Sequence, residues 1–88
     1  MEIVWSPQSL IDIEFIGDFI AKDSVSRANN FIDDLIGSVE RLRKFPESGS
    51  IVRENPVFRQ VINDGYRIVY LLKVNRIYIV TVLGPGQV

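Results

Sequence analysis

Two apolar runs near the C-terminal end of this 88-residue chain constrain its fold more than any other feature. Tyr66–Val74 and Ile77–Leu83 are rich in valine, isoleucine, leucine and tyrosine, and only Asn75 and Arg76 separate them. Runs of this length and composition are typical of buried β-strands. Because two residues are too few for a crossover connection, the two strands are predicted to pair as an antiparallel hairpin.

A third strand, Phe58–Ile62, precedes this hairpin. The turn 63–65 (Asn-Asp-Gly) joins them, since its glycine supplies the positive φ that a tight turn requires. Ile51–Arg53 is a short extended segment, and Glu2–Trp5 is a short strand at the start of the chain.

Two helices are predicted between the first strand and this β region. The first begins at Ser6, a good N-cap, and Pro7, which suits the first helical position. The first helix ends at the segment 22–24 (Lys-Asp-Ser). The aspartate or the serine of this segment caps the second helix, which ends at the Phe-Pro pair at 45–46. Because so few residues join the two helices, they are expected to form an antiparallel hairpin.

The apolar residues of the two helices are distributed differently. The second helix has one stripe at helical spacing, made of Ala28, Phe31, Ile32, Leu35, Ile36, Val39 and Leu42. The first helix has a second stripe, Ile11, Phe15 and Phe19, so we expect it to be covered on more than one side. The helical carboxylates are interpreted as solvated surface rather than acid–base pairs: Asp12, Glu14, Asp18, Asp33 and Asp34.

The predicted order is β-α-α-β-β-β, which indicates an α+β fold. The helical hairpin is expected to pack on one face of a mainly antiparallel, twisted sheet. Residues 1–88 are expected to form a single domain, because this length leaves no room for a second one.

Composition excludes several classes of function. The chain has no histidine and no cysteine, so a Ser-His-Asp triad, a histidine general base and an ordinary zinc site are all excluded. We expect no metal and no cofactor. The net charge of −1 lacks the basic excess of most nucleic-acid-binding proteins. Without a signal peptide or an apolar run of ~20 residues, the chain is expected to be cytoplasmic and not membrane-bound.

The register of the sheet determines where its charged side chains point. If Ile62 pairs with Tyr66, and Val74 with Ile77, the strands divide into two faces. The face toward the helices is predicted to carry Phe58, Ile62, Tyr66, Ile68, Tyr70, Leu72, Val74, Ile77, Ile79 and Leu83. The opposite face is predicted to carry Arg59, Val61, Arg67, Val69, Leu71, Lys73, Tyr78, Val80 and Val82.

That opposite face is unusual for a bare surface, because its valines and leucine would form one apolar patch bordered by cations. Arg59 and Arg67 would be diagonal neighbours, roughly 7–8 Å apart. Exposed patches of this kind usually mark a binding site. The alternatives are that two copies of the chain pair through this face, or that the segment 51–55 folds over it.

The whole pattern resembles the RelE/ParE superfamily of toxins from type II toxin–antitoxin modules, and within it the ParE (plasmid stabilisation) branch. The matching features run from EIVWSPQSL through IGDFIAKDS and RANNFIDDLIGSVERL to FRQVINDGYRIVYLLKVNRIYIVTV. The most specific are the FPESG turn and the block from Arg59 to Tyr70, in which arginine is followed seven residues later by Tyr-Arg-Ile-Val-Tyr.

The resemblance implies a cognate antitoxin whose C-terminal segment folds on the toxin, with oligomers forming through toxin–antitoxin assembly. We expect its seat to be Arg59, Val61, Arg67, Val69, Leu71, Lys73, Val80 and Val82. ParE-like toxins inhibit DNA gyrase by binding, whereas RelE-like toxins cleave messenger RNA on the ribosome. If this chain were such a nuclease, its catalytic residues would be Arg59, Arg67, Lys73 and Tyr78.

The end of the chain departs from the family pattern. The family commonly closes its last strand with a His-Gly-Arg-Arg-like tail, where this chain has the segment 82–88 (VLGPGQV). A nuclease needs an acid–base pair and a group that stabilises charge, and arginine is a poor proton donor. A ParE-like toxin that acts by binding is therefore the main hypothesis. The alternatives are a RelE-like nuclease and an inactive homologue that only binds antitoxin.

Overall fold

In a computed structural model, which describes residues 1–85, the chain forms two layers, a five-stranded sheet and a helical hairpin packed on one of its faces. The helices are α1 (Pro7–Ala21) and α2 (Val25–Glu40), the latter extended by a short 3-10 turn, Arg41–Arg43. The strands are β1 (Glu2–Trp5), β2 (Ser50–Ile51), β3 (Arg59–Asn63), β4 (Tyr66–Leu72) and β5 (Arg76–Leu83). The predicted α+β fold is confirmed. Residues 86–88, the end of the atypical C-terminal segment, lie outside the described part.

The sheet is mixed, with the strand order β1-β5-β4-β3-β2. β1 is parallel to β5, and the other three pairs are antiparallel. The connection from β1 to β5 therefore passes through the helical hairpin and the other three strands. Within residues 1–85, no helix is long and apolar enough to cross a membrane.

Both helices begin at the predicted caps. Ser6 Oγ accepts a hydrogen bond from the Ser9 N–H at 3.0 Å, and Pro7 is the first helical residue. Ser24 Oγ accepts from the Arg27 N–H at 3.2 Å. Each serine thus satisfies one of the N–H groups that a helix start leaves without an intrahelical partner.

The core lies between the hairpin and the sheet. Its fully buried centre joins Leu35 and Val39 of α2 to Ile68 and Tyr70 of β4 and Ile79 of β5. Phe31 also packs on Tyr66, with ring centroids 4.6 Å apart. The single apolar stripe of α2 is therefore the main helical contribution to the core, as its spacing predicts.

The predicted register of β3 is wrong by one residue. Asn63 pairs with Tyr66, so the turn contains only Asp64 and Gly65, whose φ values of 54° and 82° suit a type I′ hairpin turn. A shift of one residue reverses every side chain of a strand. The face predictions for Arg59, Val61 and Ile62 are therefore all reversed.

The β4–β5 pairing differs from the prediction in two ways. Leu72, rather than Val74, pairs with Ile77, so Val74 lies in the loop and is 97% exposed. This shift of two residues leaves the faces near the loop unchanged. A β-bulge opposite Val69 and Tyr70 then adds one residue to β5 and reverses the side chains beyond it.

Because of the bulge, the faces predicted for the last residues of β5 are wrong. Val82 pairs with Ile68 and is 2% exposed in the core, whereas it was predicted on the opposite face. Leu83 pairs with Arg67 and lies on the face away from the helices, also contrary to prediction.

The register of β3 can be tested with two neighbouring substitutions. Val61 packs against the core, whereas Ile62 is 63% exposed. We expect Val61→Ser to lower the free energy of unfolding by about 1–2 kcal/mol and Ile62→Ser by less than about 0.5 kcal/mol. Urea denaturation of both variants checks this order, and the reverse order would support the longer turn.

Candidate functional site

Helix α1 is attached to the outer edge of β5, beyond the point where β1 ends. The Ser6 N–H donates to the Ile79 carbonyl at 3.0 Å, and Ser6 Oγ donates to the Val80 carbonyl at 2.8 Å. One turn further along α1, Asp12 Oδ2 accepts from the Val82 N–H at 2.9 Å and from Thr81 Oγ1. The backbone and side chain of Ser6 and the carboxylate of Asp12 thus pair with groups of β5 that lie beyond the end of β1.

Asp12 is therefore a structural acceptor, and its interpretation as solvated surface is wrong. Burial alone would raise the pKa of this carboxyl. The hydrogen bonds from Thr81, Val82 and Gln8 outweigh that effect and hold the pKa of Asp12 below its ordinary value of 3.8. The sequence does not distinguish Asp12 from Glu14, because Val82, whose N–H donates to Asp12, is 70 residues further along the chain.

The sheet face that points away from the helices is called the open face below. The cross-strand pairs Gln60–Val69, Ile62–Arg67, Leu71–Tyr78, Val69–Thr81 and Arg67–Leu83 place their side chains on it. The surface is mostly apolar. Ile62 is its most exposed apolar residue, whereas the central Val69 is only 8% exposed because its neighbours surround it.

Only part of the predicted antitoxin seat lies on the open face. Arg67, Val69 and Leu71 are there, and the bulge residue Val80 is half-buried outside the core cluster. Arg59, Val61 and Val82 point toward the helices instead, for the register and bulge reasons given above. Lys73 lies exposed in the β4–β5 loop, where its N–H donates to the Arg76 carbonyl.

Arg59 holds the FPESG turn in place. Its Nη1 donates to the carbonyls of Glu47, at 3.2 Å, and Gly49, at 2.9 Å. The buried Tyr70 completes the network, since its phenol oxygen donates to the Pro46 carbonyl at 2.7 Å and accepts from the Gly49 N–H at 3.0 Å. Burial raises the pKa of Tyr70, so the phenol stays protonated as this donor role requires.

The remaining cations of the sheet are spread along it. Arg67 Nε donates to Gln60 Oε1 at 2.8 Å. Arg76 forms an ion pair with Glu2, with 2.8 Å between Nε and Oε1, and hydrogen bonding with Tyr78 raises the pKa of Arg76. The ion pair between Arg76 and Glu2 was not predicted, because it requires β1 to lie beside β5.

The four residues predicted as a nuclease centre do not converge. Arg59 and Arg67 lie on opposite faces of the sheet. Tyr78 pairs with Leu71, four residues along β4 from Arg67, which is a separation of about 13 Å at 3.3 Å per residue. Lys73 lies beyond both, in the loop. These side chains cannot meet around a single phosphate.

A row of apolar side chains on α1 is strongly exposed, contrary to the prediction. Ile11, Phe15 and Phe19, called the α1 stripe below, were expected to be covered, yet they are 60%, 69% and 63% exposed. A cavity of about 190 Å³ lies beside Phe15 and Phe19 and is closed on its other side by Tyr66, Gly84 and Pro85. The spacing of four residues was visible in the sequence, but nothing there showed which apolar side of α1 faces the core.

A second, shallow depression of about 320 Å³ lies on the other flank of the α1 stripe. Glu14 and Asp18 line it together with Ile11 and Phe15. Among residues 1–85, no three histidine, cysteine or acidic side chains are grouped so that they could hold a metal ion. Within residues 1–85, the open face and the α1 stripe both combine apolar side chains with exposure, which is the character of binding surfaces.

Comparisons with known proteins agree with this architecture. A solved structure described as a chromosomal ParDE TA system from P. aeruginosa superposes with a TM-score of 0.83 at 17% sequence identity, covering 98% of this chain and 97% of that one. A search of curated proteins found no match. The family model of the ParE toxin of the type II toxin–antitoxin system parDE matches residues 3–87. Since that match spans almost the whole sequence, the chain belongs to the ParE toxin family of type II toxin–antitoxin systems.

Proposed function

We propose that this toxin acts in the cytoplasm by binding a protein target, that the target is DNA gyrase as the family implies, and that a cognate antitoxin neutralises it by covering the open face. The main support for action by binding rather than by RNA cleavage is that the four candidate catalytic residues lie far apart. A mostly apolar face with scattered cations has the composition of a protein-binding surface.

Cleavage of RNA requires an acid, a base and a charge-stabilising group around one phosphate. Arg59 is committed to the FPESG turn, and Arg67 and Tyr78 are about 13 Å apart along the strand. These positions favour binding over nuclease chemistry.

The open face suits an antitoxin segment because it combines an apolar centre with one well-placed cation. Leu71 and Ile62 offer apolar contact area on either side of Val69. Arg67 already donates to Gln60, so its guanidinium is oriented before a partner arrives. An ordered arginine at the border of an apolar patch is a common anchor at protein interfaces.

The function is tested by inducing expression in bacteria while following growth, plasmid supercoiling and messenger RNA integrity in the same culture. We expect growth arrest with disturbed supercoiling and intact messages, and inhibition of supercoiling by purified gyrase when purified toxin is added. Message cleavage, repeated with purified ribosomes, would support the RelE-like alternative instead. A folded protein that causes no arrest but still binds antitoxin would be the inactive homologue.

The antitoxin seat is tested with Arg67→Glu. We expect this variant to weaken antitoxin binding by about 2 kcal/mol or more, roughly 30-fold in Kd, because it removes the arginine anchor and places an unpaired carboxylate in a desolvated interface. Isothermal titration calorimetry with the protein encoded by the neighbouring gene measures the effect.

The matched control is Arg53→Glu, which makes the same charge change at an exposed turn position outside the strands that form the open face. It should leave the dissociation constant within a factor of about two. An unchanged constant in Arg67→Glu would place the seat elsewhere on the toxin.

A further inference from the structure

We infer that one end of the molecule binds the phosphate backbone of duplex DNA through lysine and arginine side chains that no carboxylate neutralises. This end, called the basic end below, consists of residues 1–2, 40–44 and 73–76. The identity of the duplex rests on the proposed function: because gyrase is a DNA-binding enzyme, the DNA contacted in the cell is the segment that the target holds.

Three segments that are far apart in the sequence meet at the basic end. The Met1 amino group donates to the Arg43 carbonyl at 3.4 Å, and Arg43 Nη1 donates to the Met1 carbonyl at 3.1 Å. Glu2 pairs in register with Arg76, and 2.8 Å separates Glu2 Oε1 from Arg76 Nε. The start of β1 therefore joins the end of the helical hairpin to the β4–β5 loop.

Charge is distributed unevenly between the basic end and the rest of the chain. The basic end contains five of the ten lysines and arginines but only two of the eleven carboxylates, Glu2 and Glu40. The remaining residues carry five cations and nine carboxylates, and three of those carboxylates lie in α1. The net charge of −1 thus combines a basic end with an acidic remainder, and a polyanion is attracted mainly to the basic end.

The carboxylates of the basic end are already paired, whereas most of its cations are not. The two ion pairs are Glu40–Arg43 and Glu2–Arg76. Three cations of the basic end are exposed and form no ion pair within residues 1–85: Arg41, Lys44 and Lys73. Exposed cations of this kind can neutralise phosphates and release the counterions that surround DNA, which is the main source of sequence-independent DNA affinity.

The surface around these cations lacks the apolar centre of a typical protein interface. In the segments 41–44 and 73–76, Leu42 is buried and Val74 is the one exposed apolar side chain. The open face differs, because its surface is mostly apolar. Cations at a helix end and in a loop, with little apolar surface between them, suit a phosphate backbone better than a protein partner.

Lys73 lies on a loop that stands clear of the rest of the chain. Its neighbour Val74 is 97% exposed, and the Lys73 N–H donates to the Arg76 carbonyl at 2.9 Å, which closes the loop. The ammonium group can therefore reach a phosphate without obstruction by the toxin. Arg67 lies at the opposite end of β4, so DNA at the basic end leaves that part of the open face to the antitoxin.

The test is a titration of a short fluorescent DNA duplex with the purified full-length toxin, followed by anisotropy at several salt concentrations. We expect a Kd on the order of 10 µM at about 50 mM salt. Three neutralised phosphates predict a slope of about −2.7 for log K against log salt, which weakens binding about 40-fold between about 50 and 200 mM salt. Duplexes of unrelated sequence should bind equally, because phosphate contacts carry no sequence information.

The residues are tested with Lys44→Gln and Lys73→Gln. Each variant loses one phosphate contact, so we expect each to reduce the magnitude of the salt slope by about 0.9. The matched control is Lys22→Gln, which removes an exposed lysine outside the basic end, just after α1, and should leave the slope unchanged. All three side chains are exposed, so the variants should fold, and circular dichroism checks that they do. No binding by the wild type at about 50 mM salt, or variants that match the control, would overturn the inference.

Inhibition of purified gyrase by the same proteins separates this inference from the proposed function. If the wild type binds DNA but does not inhibit gyrase, the proposed function fails and the DNA contact stands. If it inhibits gyrase but binds no DNA, only the inference fails. Loss of inhibition in the lysine variants of a toxin that binds no DNA would make the basic end a gyrase-binding surface, and tighter binding of duplex RNA than of DNA would make the partner an RNA; either result overturns the inference.

Discussion

Replacing Gly49 with alanine is expected to lower the free energy of unfolding by about 3 kcal/mol. A Cβ at this position would lie 2.5 Å from Tyr70 Oη and 2.8 Å from the Gln60 carbonyl oxygen. Tyr70 is fully buried and the Gln60 oxygen belongs to a sheet strand, so neither can move aside at low cost. Any shift would also weaken the hydrogen bonds of Tyr70 to Gly49 and Pro46.

Urea denaturation followed by circular dichroism measures this effect. The stability of a small domain is about 5–15 kcal/mol in total, so a loss of this size would make the variant marginal near the lower end of that range. Gly37→Ala is the matched control, because a Cβ there meets nothing within 4 Å and the residue is inside α2. It should stabilise the protein by roughly 0.5–1 kcal/mol. Equal midpoints for Gly49→Ala and the wild type would mean that the turn is not packed against Tyr70.

Asp12→Ala is expected to lower the free energy of unfolding by about 1–2 kcal/mol at neutral pH. The substitution removes the acceptor for the Val82 N–H and Thr81 Oγ1 and so leaves the edge of β5 incompletely paired. The figure is at the low end for a charged acceptor because this carboxylate is only partly buried. Glu14→Ala, an exposed carboxylate on the same helix, should change stability by less than about 0.5 kcal/mol.

The effect of Asp12 has a characteristic dependence on pH. Its pKa in the folded state is lowered from 3.8, so its contribution is fully present above that unfolded value. The contribution is lost as the pH falls through the folded-state pKa. The difference in stability between wild type and Asp12→Ala should therefore be constant from neutral pH down to about pH 5 and shrink below pH 4. A difference that grows on acidification would contradict this linkage.

Local chemistry in the sequence was sufficient to predict the elements of the fold. The caps Ser6 and Ser24, the apolar spacing of α2 and the short loop before β5 each act over a few residues. Their effects do not depend on the rest of the chain. The FPESG turn and the block from Arg59 to Tyr70 are likewise local, and they were sufficient to indicate the family from the sequence alone.

The positions of functional side chains were less predictable, because each depended on one residue of register. A turn of two residues rather than three moved Arg59 from a binding face to the FPESG turn. One bulge moved Val82 from the surface into the core. Side chains alternate with a period of two residues, so small errors in turn length reverse entire faces.

The sequence by itself determined the secondary structure, the α+β architecture and the resemblance to the ParE toxin family, because these follow from short-range patterns and local motifs. Only the tertiary structure decided which apolar side of α1 faces the core, that Asp12 rather than Glu14 completes the edge of β5, and that Arg59 and Arg67 lie on opposite faces. These outcomes depend on contacts between residues far apart in the chain. Neighbouring residues that look alike in the sequence come to face different sides once the strands pair in a particular register.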